Sequence, residues 1–116
     1  MDPKSLGKIA EEIAQNFFEK KGYKLLEKNF RIKLGEIDLI FEKRNVIVFI
    51  EVKARTCNKY GLPQEAVTPK KQEQIRKVAL AYLQKLKKDY NEIRFDVIAI
   101  TVKDGIPQIE HISNAF

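Results

Sequence analysis

Residues 35–53 read GEIDLIFEKRNVIVFIEVK and indicate the centre of a β-sheet. Two apolar segments, 37–42 and 46–54, flank the polar triplet Lys43-Arg44-Asn45, which predicts two strands joined by a tight turn. Residues 46–50 are apolar on both faces of the second strand, a pattern typical of a central strand that is covered on both sides. We therefore expect an antiparallel hairpin whose second strand lies in the interior of the sheet.

Acidic side chains stand at the matching ends of these two strands. Asp38 lies near the start of the first strand and Glu51 near the end of the second, so hairpin pairing could bring their carboxylates side by side. Side chains alternate along a strand, so Lys53 points the same way as Glu51. Two carboxylates and the carbonyl of Val52 are oxygen ligands suited to Mg²⁺ or Mn²⁺, and the Lys53 ammonium could orient a water or stabilise charge on a phosphate. This order of residues is what a metal-dependent phosphodiesterase needs.

Each of these residues also has a structural interpretation. Glu51 and Lys53 can be a charged strand end that emerges from the core, and Asp38 can be the buried partner of a lysine or arginine. An acid-x-lysine triplet carries little information by itself, because Glu19-Lys20-Lys21 repeats it on a solvated helix face. The five apolar residues before Glu51 set the second triplet apart, but both interpretations stay open on the residues alone.

The rest of the chain adds helices and further strands to this hairpin. Apolar residues at helical spacing predict helices over residues 5–21 and 69–88, with Ser5 and Thr68 as their N-caps. Further strands are predicted at residues 23–30, 94–102 and 106–112, with loop-like sequence at 56–69. This order of elements, within 116 residues, predicts a single α/β domain in which helices pack against a mixed sheet.

The chain is basic, with a formal net charge of +6. Positive residues concentrate in residues 20–33 and in the predicted second helix, and these segments are the candidates for contact with a phosphate backbone. Lys70 and Lys71 stand at the N-terminal end of that helix, where the helix dipole also favours an anion. The other candidate nucleic-acid contacts are Arg31, Lys33 and Arg55. The alternative is that these charges form solvated faces that aid solubility.

Composition excludes several classes of protein. Cys57 is the only cysteine, which excludes an intrachain disulfide and a cysteine-rich zinc site and fits a reducing compartment. No apolar run approaches the length of a membrane span, and the charged N-terminal residues do not read as a signal peptide, so we expect a cytoplasmic protein with no membrane partner. Asp96 interrupts an apolar strand, where we expect a structural hydrogen-bond acceptor, and for His111 we expect a surface or packing role.

Several short motifs follow one another in a fixed order over residues 7–102. They are Glu11-x-x-Ala14-x-x-Phe17-Phe18, Lys21-Gly22-Tyr23, Asn29-Phe30-Arg31, Gly35-Glu36-Ile37-Asp38-Leu39-Ile40, Val48-Phe49-Ile50-Glu51-Val52-Lys53-Ala54-Arg55, Ala66-Val67-Thr68-Pro69-Lys70-Lys71 and Arg94-Phe95-Asp96-Val97. Taken together, the set resembles the bacterial YraN family, which is similar to Holliday-junction resolvases and other members of the restriction-endonuclease-like, PD-(D/E)xK superfamily. One departure is Ala10, where that family usually has glycine before the first-helix glutamate.

The resemblance implies a fold and a site. The implied fold is a restriction-endonuclease-like three-layer α/β core, αβββαβ, with a central mixed sheet flanked by helices. Carried over residue by residue, the resemblance implies that Asp38 and Glu51 bind the divalent metal, that Lys53 is the catalytic lysine, and that Glu11 supports the site. From spacing alone, Glu11 lies at the margin of the buried helix face, and spacing favours an ordinary surface glutamate. Resolvase-like relatives act as dimers, so the resemblance also allows a homodimer.

These observations support one leading hypothesis and two alternatives. The leading hypothesis is a metal-dependent nuclease that hydrolyses DNA phosphodiester bonds, on branched or otherwise structured DNA, with Mg²⁺ or Mn²⁺ as its cofactor. The first alternative is a non-catalytic nucleic-acid-binding module of the same fold, because a fold can outlast its chemistry. The second is a protein-interaction subunit with that fold. The nuclease predicts cleavage of DNA, and the binding module predicts salt-sensitive binding without cleavage. The protein-interaction subunit predicts no affinity for nucleic acid.

Overall fold

The helices and strands expected from the sequence all form, with ends within two residues of the expected positions. The computed structural model describes residues 2–56 and 61–116, so Cys57 lies outside the described residues. In chain order the elements are α1 (Pro3–Lys20), β1 (Lys24–Ile32), β2 (Gly35–Lys43), β3 (Val46–Arg55), a 3₁₀ turn (Pro63–Ala66), α2 (Pro69–Leu86), β4 (Glu92–Lys103) and β5 (Ile106–Ile112). No helix in this part of the chain is long and apolar enough to cross a membrane.

The five strands form one sheet in the order β1-β2-β3-β4-β5. Neighbouring strands are antiparallel except β3 and β4, which run parallel because α2 crosses over between them. The expected hairpin is confirmed, since β2 and β3 pair on either side of the turn at Arg44 and Asn45. β3 lies at the centre of the sheet, and its residues 47–51 are buried, as the apolar pattern predicts.

The two helices pack on opposite faces of the sheet and form two separate cores. The core under α2 contains Ile37, Ile40, Ile47, Phe49, Val67, Ile75, Val78, Ala79, Tyr82 and Val97. The core under α1 contains Ala10, Ala14, Phe18, Leu39, Phe41, Val48, Ile50, Ile98 and Ile100. Residues of β3 alternate between the two cores, as the two-residue period of a strand requires. Helix, sheet and helix form a three-layer α/β core, which confirms the expected fold class.

The ends of the helices differ from the expected ones at two places. α1 begins at Pro3 because a carboxylate oxygen of Asp2 accepts the amide of Ser5 at 2.9 Å, so Asp2 is the N-cap and the expected cap, Ser5, lies inside the first turn. The cap of α2 is confirmed, since the Thr68 hydroxyl accepts the amide of Lys71 at 3.2 Å. That helix ends before residue 88 because Lys87 adopts a left-handed conformation.

Candidate metal centre and nucleic-acid interface

Strands β2 and β3 separate at the end of the hairpin where the acidic residues lie. Their backbone pairing stops at Leu39 and Ile50, and the same register continued by one residue sets Asp38 opposite Glu51. At this point the amide of Val52 donates to Oδ2 of Asp38 at 2.8 Å, so a side-chain bond takes the place of the next backbone bond. On its other side β3 stays paired with β4 through Arg55. The end of β3 is therefore held by β4 and open toward β2.

Asp38 and Glu51 bring two carboxylates together in a largely buried position. Burial, then the side-chain contact with Glu51 and its negative charge, raises the pKa of Asp38 to about 8, and the Val52 amide offsets this only in part. Glu51 is 8% exposed, and its Oε2 receives no hydrogen bond from the described residues. A buried and a half-buried acid with an unsatisfied oxygen favour the uptake of a proton or a cation over the doubly charged state.

The chemistry of this pair fits a hard divalent cation. Carboxylate and carbonyl oxygens are the ligands that Mg²⁺ and Mn²⁺ prefer, and Mg²⁺ usually keeps several waters, so few protein ligands suffice. Across residues 2–56 and 61–116, no group of three or more His, Cys, Asp or Glu side chains is placed to hold a metal ion. With Asp38 and Glu51 as the side-chain ligands, the candidate for a third protein ligand is the backbone carbonyl of Val52, whose amide already bonds Asp38.

Glu11 approaches the pair from α1. Burial, and next the negative charge of Asp38, raises the pKa of Glu11, while a hydrogen bond from the side chain of Asn29 partly offsets the shift. Asn29 has a φ of 53° and is skipped in the pairing of β1 with β2, opposite Asp38 in the register. Glu11 therefore lies close enough to Asp38 for their charges to interact. Asn29 belongs to the Asn29-Phe30-Arg31 motif, but its contact with Glu11 was not predicted, although an asparagine inside a strand pattern is a known signal for a left-handed conformation.

Lys71 forms an ion pair with the carboxylate pair, whereas Lys53 does not. Nζ of Lys71 lies 3.7 Å from Oε2 of Glu51. Among the ion pairs of the described residues, none includes Lys53. The Lys53 side chain instead lines a depression of about 370 Å³ at the end of β3, together with Leu6, Ala54, Arg55, Thr56 and Ala66. The sequence suggested only a phosphate contact for Lys71, because its approach to Glu51 depends on how α2 lies over the sheet.

The expected nucleic-acid contacts divide into exposed and buried residues. Lys33 and Lys70 are exposed, and Arg31 is exposed but forms an ion pair with Glu36. Arg55 departs from the expectation of a charged row along the strand, because it is 6% exposed and its guanidinium donates to the carbonyl of Gly61 at 3.1 Å. Strand alternation correctly predicts the face of the sheet on which Arg55 lies, but it does not predict the contact with Gly61. Arg55 therefore stabilises the end of β3 and is not part of an exposed basic surface.

A second polar cluster surrounds Asp96, which is fully buried in β4. Its carboxylate accepts hydrogen bonds from Arg94 at 2.9 and 3.0 Å and from the amide of Asn114 at 3.1 Å, and lies 2.7 Å from Nε2 of His111. Burial acts to raise the pKa of Asp96, but the bonds from His111, Arg94 and Asn114 outweigh it and hold the pKa below its ordinary value. The His111 ring also packs edge-on against Phe18. The structural roles expected for Asp96 and His111 are confirmed.

Comparison with known proteins gives consistent matches over almost the full chain. A family model described as "Uncharacterised protein family UPF0102" matches residues 10–100. A UPF0102 protein of Syntrophomonas wolfei is 48% identical over 97% of this chain and 98% of the relative. UPF0102 proteins of Geobacter metallireducens and Thermodesulfovibrio yellowstonii are each 51% identical, over 97% and 96% of this chain and 93% and 95% of the relative. Every residue of the carboxylate site lies inside the matched segment.

Proposed function

We propose that this chain, which belongs to the UPF0102 family of YraN proteins, is a metal-dependent nuclease that hydrolyses DNA phosphodiester bonds. The observation that carries the proposal is the contact of Asp38 with Glu51 at the open end of β3. A buried pair of acids is costly unless a positive charge compensates it, so the pair has a physical reason to exist if a divalent cation binds there. The motif resemblance to PD-(D/E)xK nucleases leads to the same residues.

The residues at this site have different roles in phosphodiester hydrolysis. Asp38, Glu51 and the carbonyl of Val52 would hold Mg²⁺ or Mn²⁺, which when bound supplies Lewis-acid polarisation of the phosphate and a more acidic water. The Val52 amide fixes the Asp38 carboxylate at 2.8 Å. Lys53, near the end of β3, orients the attacking water or stabilises the negative charge that develops on the phosphate. Glu11 adds negative charge near Asp38 and so favours a bound cation.

Exposed lysines on two neighbouring elements supply contacts for the DNA backbone. Lys33 lies in the turn between β1 and β2, and Lys70 lies in the first turn of α2. Nε2 of Gln74 on α2 donates to the carbonyl of Leu34 at 2.5 Å, which ties that turn to the helix. A side chain at position 35 would meet Gln74 at 3.1 Å, so Gly35 permits the close approach. Together with Arg31 and the net charge of +6, these residues favour a polyanionic substrate.

The proposal is tested by incubating the protein with labelled linear and four-way-junction DNA in Mg²⁺, Mn²⁺ or EDTA. We expect wild type to cut DNA in Mg²⁺ or Mn²⁺ but not in EDTA, and to prefer the branched substrate. Asp38→Asn should be folded but inactive. Asp104→Asn makes the same chemical change in the exposed turn before β5 and should remain active. Sedimentation of the same samples, with and without DNA, tests the homodimer that the resolvase resemblance allows.

DNA binding without cleavage under every metal condition would contradict the nuclease proposal. The non-catalytic nucleic-acid-binding module would then be the better account, and its binding should be salt-sensitive and unaffected by EDTA. Absence of both binding and cleavage would leave the protein-interaction subunit.

A further inference from the structure

We infer that Lys71 is an exchangeable counterion of the Asp38–Glu51 pair. It compensates Glu51 while no divalent cation is bound, loses this contact when a cation binds, and then contacts a phosphate of the DNA. The inference rests on the proposed function because it assumes that the pair binds a divalent cation. It adds a coupling between cation binding and substrate binding, carried by a residue outside the acid-x-lysine motif.

The contact between Lys71 and Glu51 is electrostatic and leaves the carboxylate oxygen free for a ligand. Nζ of Lys71 lies 3.7 Å from Oε2 of Glu51, beyond the 2.7–3.2 Å range of an N–H···O hydrogen bond. The same oxygen is buried and receives no hydrogen bond from the described residues. Lys71 therefore supplies charge to Glu51 without occupying the lone pairs that would bind a cation.

Lys71 can leave this position without any change in the backbone. Its amide is held by the Thr68 hydroxyl at the cap of α2, and its side chain is 41% exposed, against 9% for that of Glu51. A long side chain with a fixed base and a partly solvated end can change rotamer at low cost. The acid is fixed and the lysine is movable, so exchange moves Lys71 and leaves Glu51 in place.

The charges in the site favour such an exchange. With both carboxylates ionised, as cation binding requires, a divalent cation alone balances their charge, and a lysine ammonium in addition gives the site a net charge of about +1. The cation and the ammonium then repel each other at short range, and the lysine, which has access to solvent, is displaced. It lies in the first turn of α2, where the helix dipole favours an anion, so a phosphate is a suitable new partner.

The first test measures Mn²⁺ affinity by titration calorimetry for wild type, Lys71→Gln and Lys77→Gln. Lys77 is the matched control because it lies on the same helix and also forms an ion pair, at 3.5 Å from Glu73, at a surface position. We expect Lys71→Gln to bind Mn²⁺ about 3- to 10-fold more tightly than wild type, because a competing charge is removed, and Lys77→Gln to stay within about twofold. Binding by Lys71→Gln alone, with none by wild type, would support the inference most strongly.

Equal or weaker Mn²⁺ binding by Lys71→Gln would overturn the inference. If wild type also cuts DNA, the proposed function would survive that result. Absence of Mn²⁺ binding in every variant would overturn the inference and the metal site together.

The second test measures DNA affinity in EDTA and in Mn²⁺. All variants carry Lys53→Ala, so that cleavage does not interfere with the binding measurement. We expect Lys71→Gln to weaken binding about threefold or more in Mn²⁺ and to have little effect in EDTA, where Lys71 is held by Glu51. Lys70→Gln, a neighbouring exposed lysine in no ion pair of the described residues, should weaken binding equally in both conditions. An equal loss for Lys71→Gln in EDTA and in Mn²⁺ would show an ordinary phosphate contact and overturn the exchange.

Discussion

Asp38 and Glu51 face each other one residue beyond the last backbone pair of β2 and β3. Like charges directly opposite each other destabilise an antiparallel pair, and here the two strands separate and the Val52 amide bonds to Asp38 instead. A local violation of the rules that stabilise a sheet is typical of a functional site.

The stability of the metal-free protein should fall as the pH rises. The pKa of Asp38 is about 8 in the folded protein and near its ordinary value of 3.8 in the unfolded chain, so between these values the folded state holds a proton that the unfolded state has lost. The free energy of unfolding therefore decreases from about pH 4 to about pH 8. Asp38→Asn cannot lose this proton, so its stability relative to wild type should increase by about 2–4 kcal/mol between pH 5 and pH 8.

Urea unfolding in EDTA at pH 5 and pH 8 measures this difference. Asp104→Asn is the control, because it makes the same replacement in an exposed turn and should show the same pH dependence as wild type. If the free energies of unfolding of Asp38→Asn and wild type changed equally with pH, Asp38 would be ionised in the folded protein and its pKa would not be raised.

Glu11→Gln should weaken Mn²⁺ binding without abolishing it. Burial and then the negative charge of Asp38 raise the pKa of Glu11 on α1, so the two carboxylates interact. The Glu11 carboxylate therefore adds negative potential at the site. We expect a loss of affinity of about 3- to 10-fold, the size of a charge effect without direct ligation. Glu12 is its exposed neighbour on α1, and Glu12→Gln should bind Mn²⁺ like wild type in the same titration. A loss of 100-fold or more for Glu11→Gln would indicate a direct ligand instead.

Lys53→Ala should separate metal binding from catalysis. No ion pair within the described residues joins Lys53 to the carboxylates, so its removal should leave Mn²⁺ affinity within about threefold of wild type. Single-turnover cleavage of labelled DNA should slow by about 10²–10³-fold, the usual cost of removing one group that stabilises transition-state charge. Unchanged cleavage would transfer the catalytic role to another residue, with Lys71 as the first candidate.

Asp96→Asn should destabilise the fold by about 3 kcal/mol or more at pH 7, because it leaves the largely buried guanidinium of Arg94 without its carboxylate. The pKa of Asp96 is held below its ordinary value of 3.8, so its stabilising contribution is present above that value and is lost as the pH falls below it. Urea unfolding monitored by circular dichroism at pH 7 and pH 3 measures both effects. A loss below about 1 kcal/mol at pH 7 would mean that water or another group compensates Arg94.

The fold and the carboxylate pair could be predicted from the sequence because they depend on short-range periodicity. The two apolar segments in residues 35–53 and the polar turn between them determine the hairpin, and its register places Asp38 beside Glu51. Thr68 followed by Pro69 marks the start of α2 for a local reason as well. The motif resemblance, now joined by membership of UPF0102, pointed to the same acids.

The remaining features depend on contacts between segments that are far apart in the chain. Lys71 reaches Glu51 only because α2 crosses over this end of β3, and Arg55 is buried because it meets the carbonyl of Gly61. Asp96 binds Arg94 and His111 through the pairing of β4 with β5 and the packing of their side chains. Periodicity gives the face on which a side chain lies, but the identity of its partner follows from tertiary packing.

The most direct test of the account is anomalous diffraction from crystals grown with Mn²⁺. We predict one strong anomalous peak within about 2.0–2.6 Å of carboxylate oxygens of both Asp38 and Glu51 and of the Val52 carbonyl, with the Lys71 side chain turned away from Glu51. A well-ordered site in which Asp38 and Glu51 remain in contact, with no peak between them at millimolar Mn²⁺, would contradict the assignment of this pair as the metal centre of a nuclease.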